Sequence, residues 1–281
     1  MLNRRQFLYS AASVAAGASL TGLYTRFLEP YWIDVVRRPM PIAGLPTALE
    51  GKTLVQLSDL HVGTVVPDQF ILDLFRDVRA MAPDIVVYTG DFITHYARGG
   101  MFAQVERVYG DLPRGTLGTA AIFGNHDFGN MWSEHDIARR LGRTLTAAGV
   151  QVLSNETAVI GDLQIVGMGD LWAHEFAPVK AFATADLRQP AIVLSHNPDT
   201  VDLTGWGEFE GWILSGHTHG GQCKAPFLPP PILPVRNKRY SSGEFSLDHG
   251  RRLYINRGIG HALPVRINAR PEVTVFSLTS V

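Results

Sequence analysis

The chain has 281 residues, 46% of them hydrophobic and 18% charged, long enough for one large domain with a substantial core or for two small ones. Its 25 basic and 26 acidic residues nearly cancel, which excludes the basic field of a nucleic-acid binder and any acidic tail. A single cysteine, Cys223, excludes an intramolecular disulfide, so export would require a fold that needs no oxidative stapling.

At the N-terminus, Arg4 and Arg5 precede an uncharged run from Phe7 to Thr25. With Phe7 and Leu8 following, the pair resembles a twin-arginine export signal, although Asn3 stands where Ser or Thr is usual and Tyr9 where Lys is common. Ala16, Gly17 and Ala18 fit a small-residue cleavage site. The run is also near the ~20 residues that span a bilayer, so an uncleaved anchor is the alternative. Residues 1–28 are therefore expected to be a signal or membrane anchor, and residues 29–281 one catalytic domain. Expected partners are the export machinery, the membrane and a substrate; nucleic acid is not among them.

Residues 29–52 read as a link with a short extended stretch around Trp32, Val35 and Val36, where Pro39, Pro41 and Pro46 forbid a long helix. Leu54 to Ser58 reads as a strand ending at Asp59. Phe70, Ile71, Leu74, Phe75 and Val78 then repeat at helical spacing. Ile85 to Thr89 is a second buried strand, ending at Gly90 and Asp91, and Ala120 to Phe123 a third, ending at Asn125 and His126. Ile137, Leu141 and Leu145, four apart, predict a helix over 133–148. Short strands follow at 150–153, 158–160 and 163–166, the last two joined by a hairpin at Gly161-Asp162. Strands at 191–194 and 212–214 bring in His196 and His217. A hairpin at 242–256 and a strand at 272–278 complete the domain. Ala225 to Pro234 is a rigid extended loop, expected to pack as a lid; Phe227, Leu228, Ile232 and Leu233 on it could alternatively touch lipid or an acyl chain.

Five strand ends thus carry Asp59-x-His61, Gly90-Asp91, Gly124-Asn125-His126-Asp127, His196 and Gly216-His217-x-His219. Carboxylate, imidazole and amide oxygen together suit divalent first-row metals, while the lone cysteine argues against a thiolate site. The five blocks, in this order, resemble the calcineurin-like metallophosphoesterase superfamily. Within it, His217 to Gln222 and Asn256 to Gly260 are similar to a bacterial subgroup that is membrane-associated or twin-arginine-exported.

That resemblance implies an α/β four-layer sandwich, with two packed mixed β-sheets flanked by helices. It implies one metal held by Asp59, His61 and His219, a second held by Asn125, His196 and His217, and Asp91 as their bridge. Two divalent ions are expected, manganese first, with iron, zinc or magnesium as alternatives. A bridging hydroxide would attack phosphorus in line with the leaving oxygen. His126 would protonate the leaving group or steady the transition-state charge, and Asp127 would orient it. Arg257 is a candidate for a phosphate oxygen, against a structural ion pair, and Asp170 for the cleft lining. His95, His135, His174, His249 and His261 read as surface or satisfied core residues, and Cys223 as a small buried thiol.

The leading expectation is a dinuclear phosphomonoesterase or phosphodiesterase in the bacterial envelope. The alternatives are a cytoplasm-facing hydrolase of a nucleotide-lipid pyrophosphate of the UDP-diacylglucosamine type, and a non-catalytic metal-bearing binding protein.

Overall fold

The apolar runs form two six-stranded sheets in a computed structural model that describes residues 3–63, 65–94, 101–261 and 263–281. The first sheet uses β1 (Asp34–Ile42), β2 (Thr53–Leu57), β3 (Ile85–Thr89), β4 (Gly118–Ile122), β5 (Gln151–Leu153) and β12 (Glu272–Ser280), ordered β1-β12-β2-β3-β4-β5. The second uses β6 (Glu156–Ile160), β7 (Leu163–Gly167), β8 (Ala191–Leu194), β9 (Gly211–Ser215), β10 (Gly243–Ser246) and β11 (Arg251–Ile255), ordered β10-β11-β9-β8-β7-β6.

The central strands are apolar at nearly every position because both faces are covered. Along β2, Leu54 turns toward the second sheet and packs with Ile165, Ile192, Leu214 and Phe276. Its neighbours Val55 and Leu57 turn outward. There they meet α2 (Asp68–Ala80), α3 (Met101–Tyr109) and α4 (His135–Ala147) through Ile71, Phe75, Val105, Val108, Leu141 and Leu145. The outer face of the second sheet is covered by α5 (Pro178–Phe182) and by Trp206, Phe209 and Tyr240. Helices, sheet, sheet, then helix and loops make the four layers that the resemblance implied.

Two predicted turns are realised closely. Ile160 pairs with Leu163, leaving Gly161 and Asp162 as a two-residue turn with φ of 58° and 67°. The helix over 133–148 is α4.

Three elements differ from expectation. The short stretch near Val35 is a nine-residue strand, β1, despite its two prolines. It lies at the edge of the sheet, paired on one side only with β12, where a missing N–H is tolerated. Helices α3 and α5 were not read from the sequence.

Helix α1 (Arg4–Leu23) starts at Asn3, whose side chain accepts from Gln6 N, and buries none of its residues. Among the described residues, no helix is long and apolar enough to cross a membrane. The proline-rich loop is a lid at its far end, where Leu233 is buried in the fold and so is not available to lipid; Phe227, Leu228 and Ile232 remain exposed.

Candidate metal centre

Parallel pairing brings the predicted residues together. β2, β3 and β4 run parallel in one sheet, and β7, β8 and β9 in the other, so their C-terminal ends share one rim. Asp59 and His61 follow β2, Asp91 follows β3, Asn125 follows β4, His196 follows β8, and His217 and His219 follow β9. The loops are stitched by Asp59 N donating to Gly90 O at 2.9 Å and His61 N to Asp91 O at 3.0 Å.

Tight turning at the rim has a conformational cost. Asp59, His61, Asp91, His217 and His219 all have positive φ, between 49° and 69°. Such conformations are sparsely populated by non-glycine residues and cluster where function over-determines the backbone. The flanking glycines have a second task, close approach. A Cβ on Gly124 would lie 2.3 Å from Asp91 Oδ1 and 2.6 Å from His196 Nε2, and one on Gly216 would lie 2.3 Å from Asp59 Oδ2.

Two triads result, Asp59 with His61 and His219, and Asp91 with His196 and His217; within each, the ligand atoms lie within 4.8 Å of one another. Asp91 Oδ2 stands 3.2 Å from His196 Nε2 and 3.7 Å from His61 Nε2, so it faces both groups. His61 and His219 bring their Nε2 atoms to 3.1 Å. Two backbone carbonyls set ring tautomers on the other side. His196 Nδ1 donates to Thr89 O at 2.7 Å, and His217 Nε2 to Pro234 O at 2.8 Å. That leaves His196 Nε2 and His217 Nδ1, 3.2 Å apart, as lone-pair donors toward the centre.

Asn125 supplies the test of whether cations fit. Its side chain is fully buried, yet among the described residues neither Oδ1 nor Nδ2 has a hydrogen-bond partner. An orphaned amide oxygen at this depth is costly unless something else satisfies it, and a divalent cation held with Asp91 and His196 would satisfy Oδ1. The donor set of carboxylate, imidazole and amide oxygen fits the two divalent ions that the resemblance implied.

The protonation states agree with ligation. Burial lowers the pKa of His61 and of His217 to about 3 and that of His219 well below the usual histidine value, so all three are neutral donors. Burial acts in the same direction on His196, but Asp91, Asp59 and Asp170 outweigh it and raise that ring to about 10. Against its own burial, Asp91 is held well below the carboxylate range by His196 and His126. Burial raises Asp59 to about 6. A divalent cation held among these acids would take over the charge that raises His196, so that its Nε2 would lose the proton and serve as a ligand.

His126 is half-buried, its ring edge-on to His61 at 4.9 Å between centroids, and its N–H donates to Asp91 Oδ1 at 2.9 Å. Asp127 has a different task from the one expected. Its Oδ1 accepts from Ile93 N at 3.1 Å and its Oδ2 from Gly124 N at 2.9 Å, so it acts on His126 through the loop it fastens.

Asp170 is buried near the centre, with Oδ1 accepting from Ala173 N at 2.8 Å and Oδ2 unpartnered; burial raises it to about 6. Arg257 is not directed at a substrate. Its fork is taken by Glu272 at 2.5 Å and Asp34 at 2.8 Å, the structural ion pair.

His135 pairs with Glu175 at 3.3 Å, while His174 and His249 are exposed. His261 is not a surface histidine: it is fully buried, and among the described residues both ring nitrogens lack hydrogen-bond partners, so it is not the satisfied core residue expected either. His95 lies outside the described residues. Cys223 is half-buried, with burial raising its thiol.

Sequence reasoning missed Arg266 and Trp172. Arg266 is fully buried and reaches His219 from behind; Trp172 meets the His217 ring edge-on at 4.5 Å. Arg266 carries one signal, a charge between Val265 and Ile267 in an apolar alternation. Trp172 carries only its place two residues after Asp170.

Residues 52–221 match the family model described as "Calcineurin-like phosphoesterase". Over 284 residues the chain is 34% identical to "Phosphodiesterase YaeI" of Escherichia coli (strain K12), covering 99% of this chain and 100% of that one. It is 29% identical to "UDP-2,3-diacylglucosamine pyrophosphatase LpxG" of Chlamydia muridarum, over 95% of each chain. It is 31% identical to "Uncharacterized metallophosphoesterase YkuE" of Bacillus subtilis (strain 168), over 99% of this chain and 98% of that one.

Proposed function

Because the chain belongs to the calcineurin-like phosphoesterase family and is a metal-dependent phosphoester hydrolase, we propose that it cleaves a phosphodiester or phosphomonoester at the bacterial envelope. One observation carries the hydrolytic reading: the orphaned Asn125 amide, set beside a carboxylate that faces two histidine-bearing triads. The whole-length similarity to a protein named a phosphodiesterase supports the diester first.

Asp59, His61 and His219 would hold one cation, Asn125, His196 and His217 the other, with Asp91 between them. Bound there, two divalent cations, manganese first, supply Lewis acidity and a water that ionises near neutral pH. His126 borders this centre and is placed to give a proton to the departing oxygen. Asp127 and the Asp91–His126 backbone bond keep that loop in position.

The envelope address rests on Arg4 and Arg5 at the start of a helix that carries no charge after them and buries none of its residues. A second reading is favoured by the similarity to a lipid pyrophosphatase: cleavage of a nucleotide-lipid pyrophosphate at the cytoplasmic membrane face. The non-catalytic alternative has little support, since a silent site has no use for His126 at its edge.

The deciding experiment assays purified protein against aryl phosphomonoesters, aryl phosphodiesters and a UDP-diacylglucosamine, each with manganese, iron, zinc or magnesium. Diester turnover exceeding the others supports the leading reading. Preference for the lipid pyrophosphate replaces it with the second, and no turnover on any substrate overturns both.

A further inference from the structure

Beside the centre lies a cavity of about 620 Å³, within the size range of sites that take small organic groups. Both of its walls reach His217. On one side stand Trp132 and Trp172, with ring centroids 4.6 Å apart, and Trp172 meets the His217 ring edge-on at 4.5 Å. On the other side, Arg236 follows Pro234 by two residues, and it is the Pro234 carbonyl that accepts the His217 Nε2–H at 2.8 Å.

The lining selects against polar groups. Its carboxylates are already satisfied: Asp199 accepts from the N–H groups of Arg236 and Asn237 at 2.6 and 3.0 Å, and Asp202 accepts from Asn237 Nδ2 and Tyr240 Oη at 2.7 and 2.8 Å. Apart from the exposed His174 and Arg236, what remains toward a ligand is apolar: Met131, Trp132, Leu171, Trp172 and Leu203. Met131 is 75% exposed and Leu203 39% exposed, unfavourable for side chains with no cover. Met131 and Trp132 also sit at φ of 50° and 56°, a conformation that costs bulky residues energy and is retained where a site needs it. Among the described residues, the Arg236 guanidinium has no hydrogen bond or ion pair, so the lining carries one uncommitted cation.

We propose that this cavity binds an alkyl chain carried by the substrate, with the phosphoryl group at the metal centre and Arg236 complementing its negative charge. The inference rests on the phosphoester-hydrolase reading and names the substrate class within it: phosphoesters with an aliphatic substituent next to phosphorus. An aromatic base is the poorer occupant, because Asp199 and Asp202, the carboxylates that would read its edge, are already bonded.

Two measurements test it. Alkyl phosphonates from methyl to octyl, titrated against the protein's intrinsic tryptophan fluorescence, read the cavity without turnover. Affinity should rise on the order of twofold to fourfold per methylene until the cavity is filled. Aryl alkyl phosphodiesters of the same lengths should show the same climb in kcat/KM. Leu203→Asp, at a partly exposed position, should cut the octyl-to-methyl ratio by tenfold or more in both series. Val159→Asp, on the exposed face of β6, should leave the ratio alone. A flat phosphonate series, or a climb that Leu203→Asp does not reduce, overturns the proposal. Turnover with a flat series fails the cavity and keeps the hydrolase; a climbing phosphonate series with no ester turned over does the reverse.

Discussion

Arg266 places Nη2 3.3 Å from Nδ1 of His219, a buried cation directly behind a candidate metal-ligating imidazole. No carboxylate among the described residues pairs with it. Its guanidinium is held by the carbonyls of Arg257, Gly258, Gly260 and Ala269 at 2.6 to 3.2 Å. Burial lowers it to about 10, so it stays charged at neutral pH and helps keep His219 unprotonated.

Arg266→Lys should therefore cost about 3 kcal/mol of stability, because an ammonium cannot satisfy four carbonyls at these angles. Metal should be lost first from the Asp59–His61–His219 group. Denaturant unfolding and metal content per molecule check this; native stability with full metal would assign Arg266 no role.

Asp91→Asn should empty or weaken both groups, whereas His219→Ala should mainly weaken one. Metal analysis after dialysis against chelator distinguishes them. Two tightly held ions in Asp91→Asn would remove the bridge.

His126→Ala should keep both ions but lower turnover by a factor on the order of 10²–10⁴. The loss should shrink for good leaving groups, which need less protonation. Equal losses for an aryl and an alkyl ester would assign His126 to charge stabilisation instead.

His261 gives a pH prediction. Burial, then Arg266 and Arg26, lower its pKa to about 4, while Tyr31 packs edge-on at 5.9 Å. In the unfolded chain the ring protonates near 6.5, so below that pH the unfolded state binds the extra proton. The stability held above pH 6.5 should fall by roughly 2–3 kcal/mol as pH drops toward 4. His261→Phe should flatten this part of the curve in urea midpoints taken across that window. An unchanged slope would show that His261 does not titrate on unfolding.

Replacing Arg4 and Arg5 by lysines should strand a folded, metal-loaded protein in the cytoplasm, if the pair is an export signal. Protease added to spheroplasts reads the outcome. A native protein as protected as a cytoplasmic marker would favour the membrane-facing lipid pyrophosphate reading.

The centre was legible because the candidate ligands sit at the ends of apolar strands, glycine-flanked at Asp91, Asn125 and His217, in the order that carried the family resemblance. Asp59, Asp91 and His217 could be placed on one rim before any contact was seen. For Arg257 the structural ion pair is the one of its two readings that the fold realises, since local sequence does not say which partner a guanidinium will meet. β1 was hidden by Pro39 and Pro41, which read as breakers until edge placement makes them harmless. Arg266 and Trp172 approach the centre from loops that carry no period.

Strand β12 lies between β1 and β2, parallel to the first and antiparallel to the second. Asp59 is set by the end of β2, so the earliest ligand in the chain is steadied by a strand that a ribosome delivers more than two hundred residues later, by the positions in the sequence. During synthesis β2 can gain β3 at once, but its other edge must wait for Glu272 onward. The metal centre is thus a late product of translation, and an ion captured before that point meets scattered histidines rather than a site. Pairing across such separations is slow to form. The time that β12 takes to dock would then govern how soon the protein can acquire its metals.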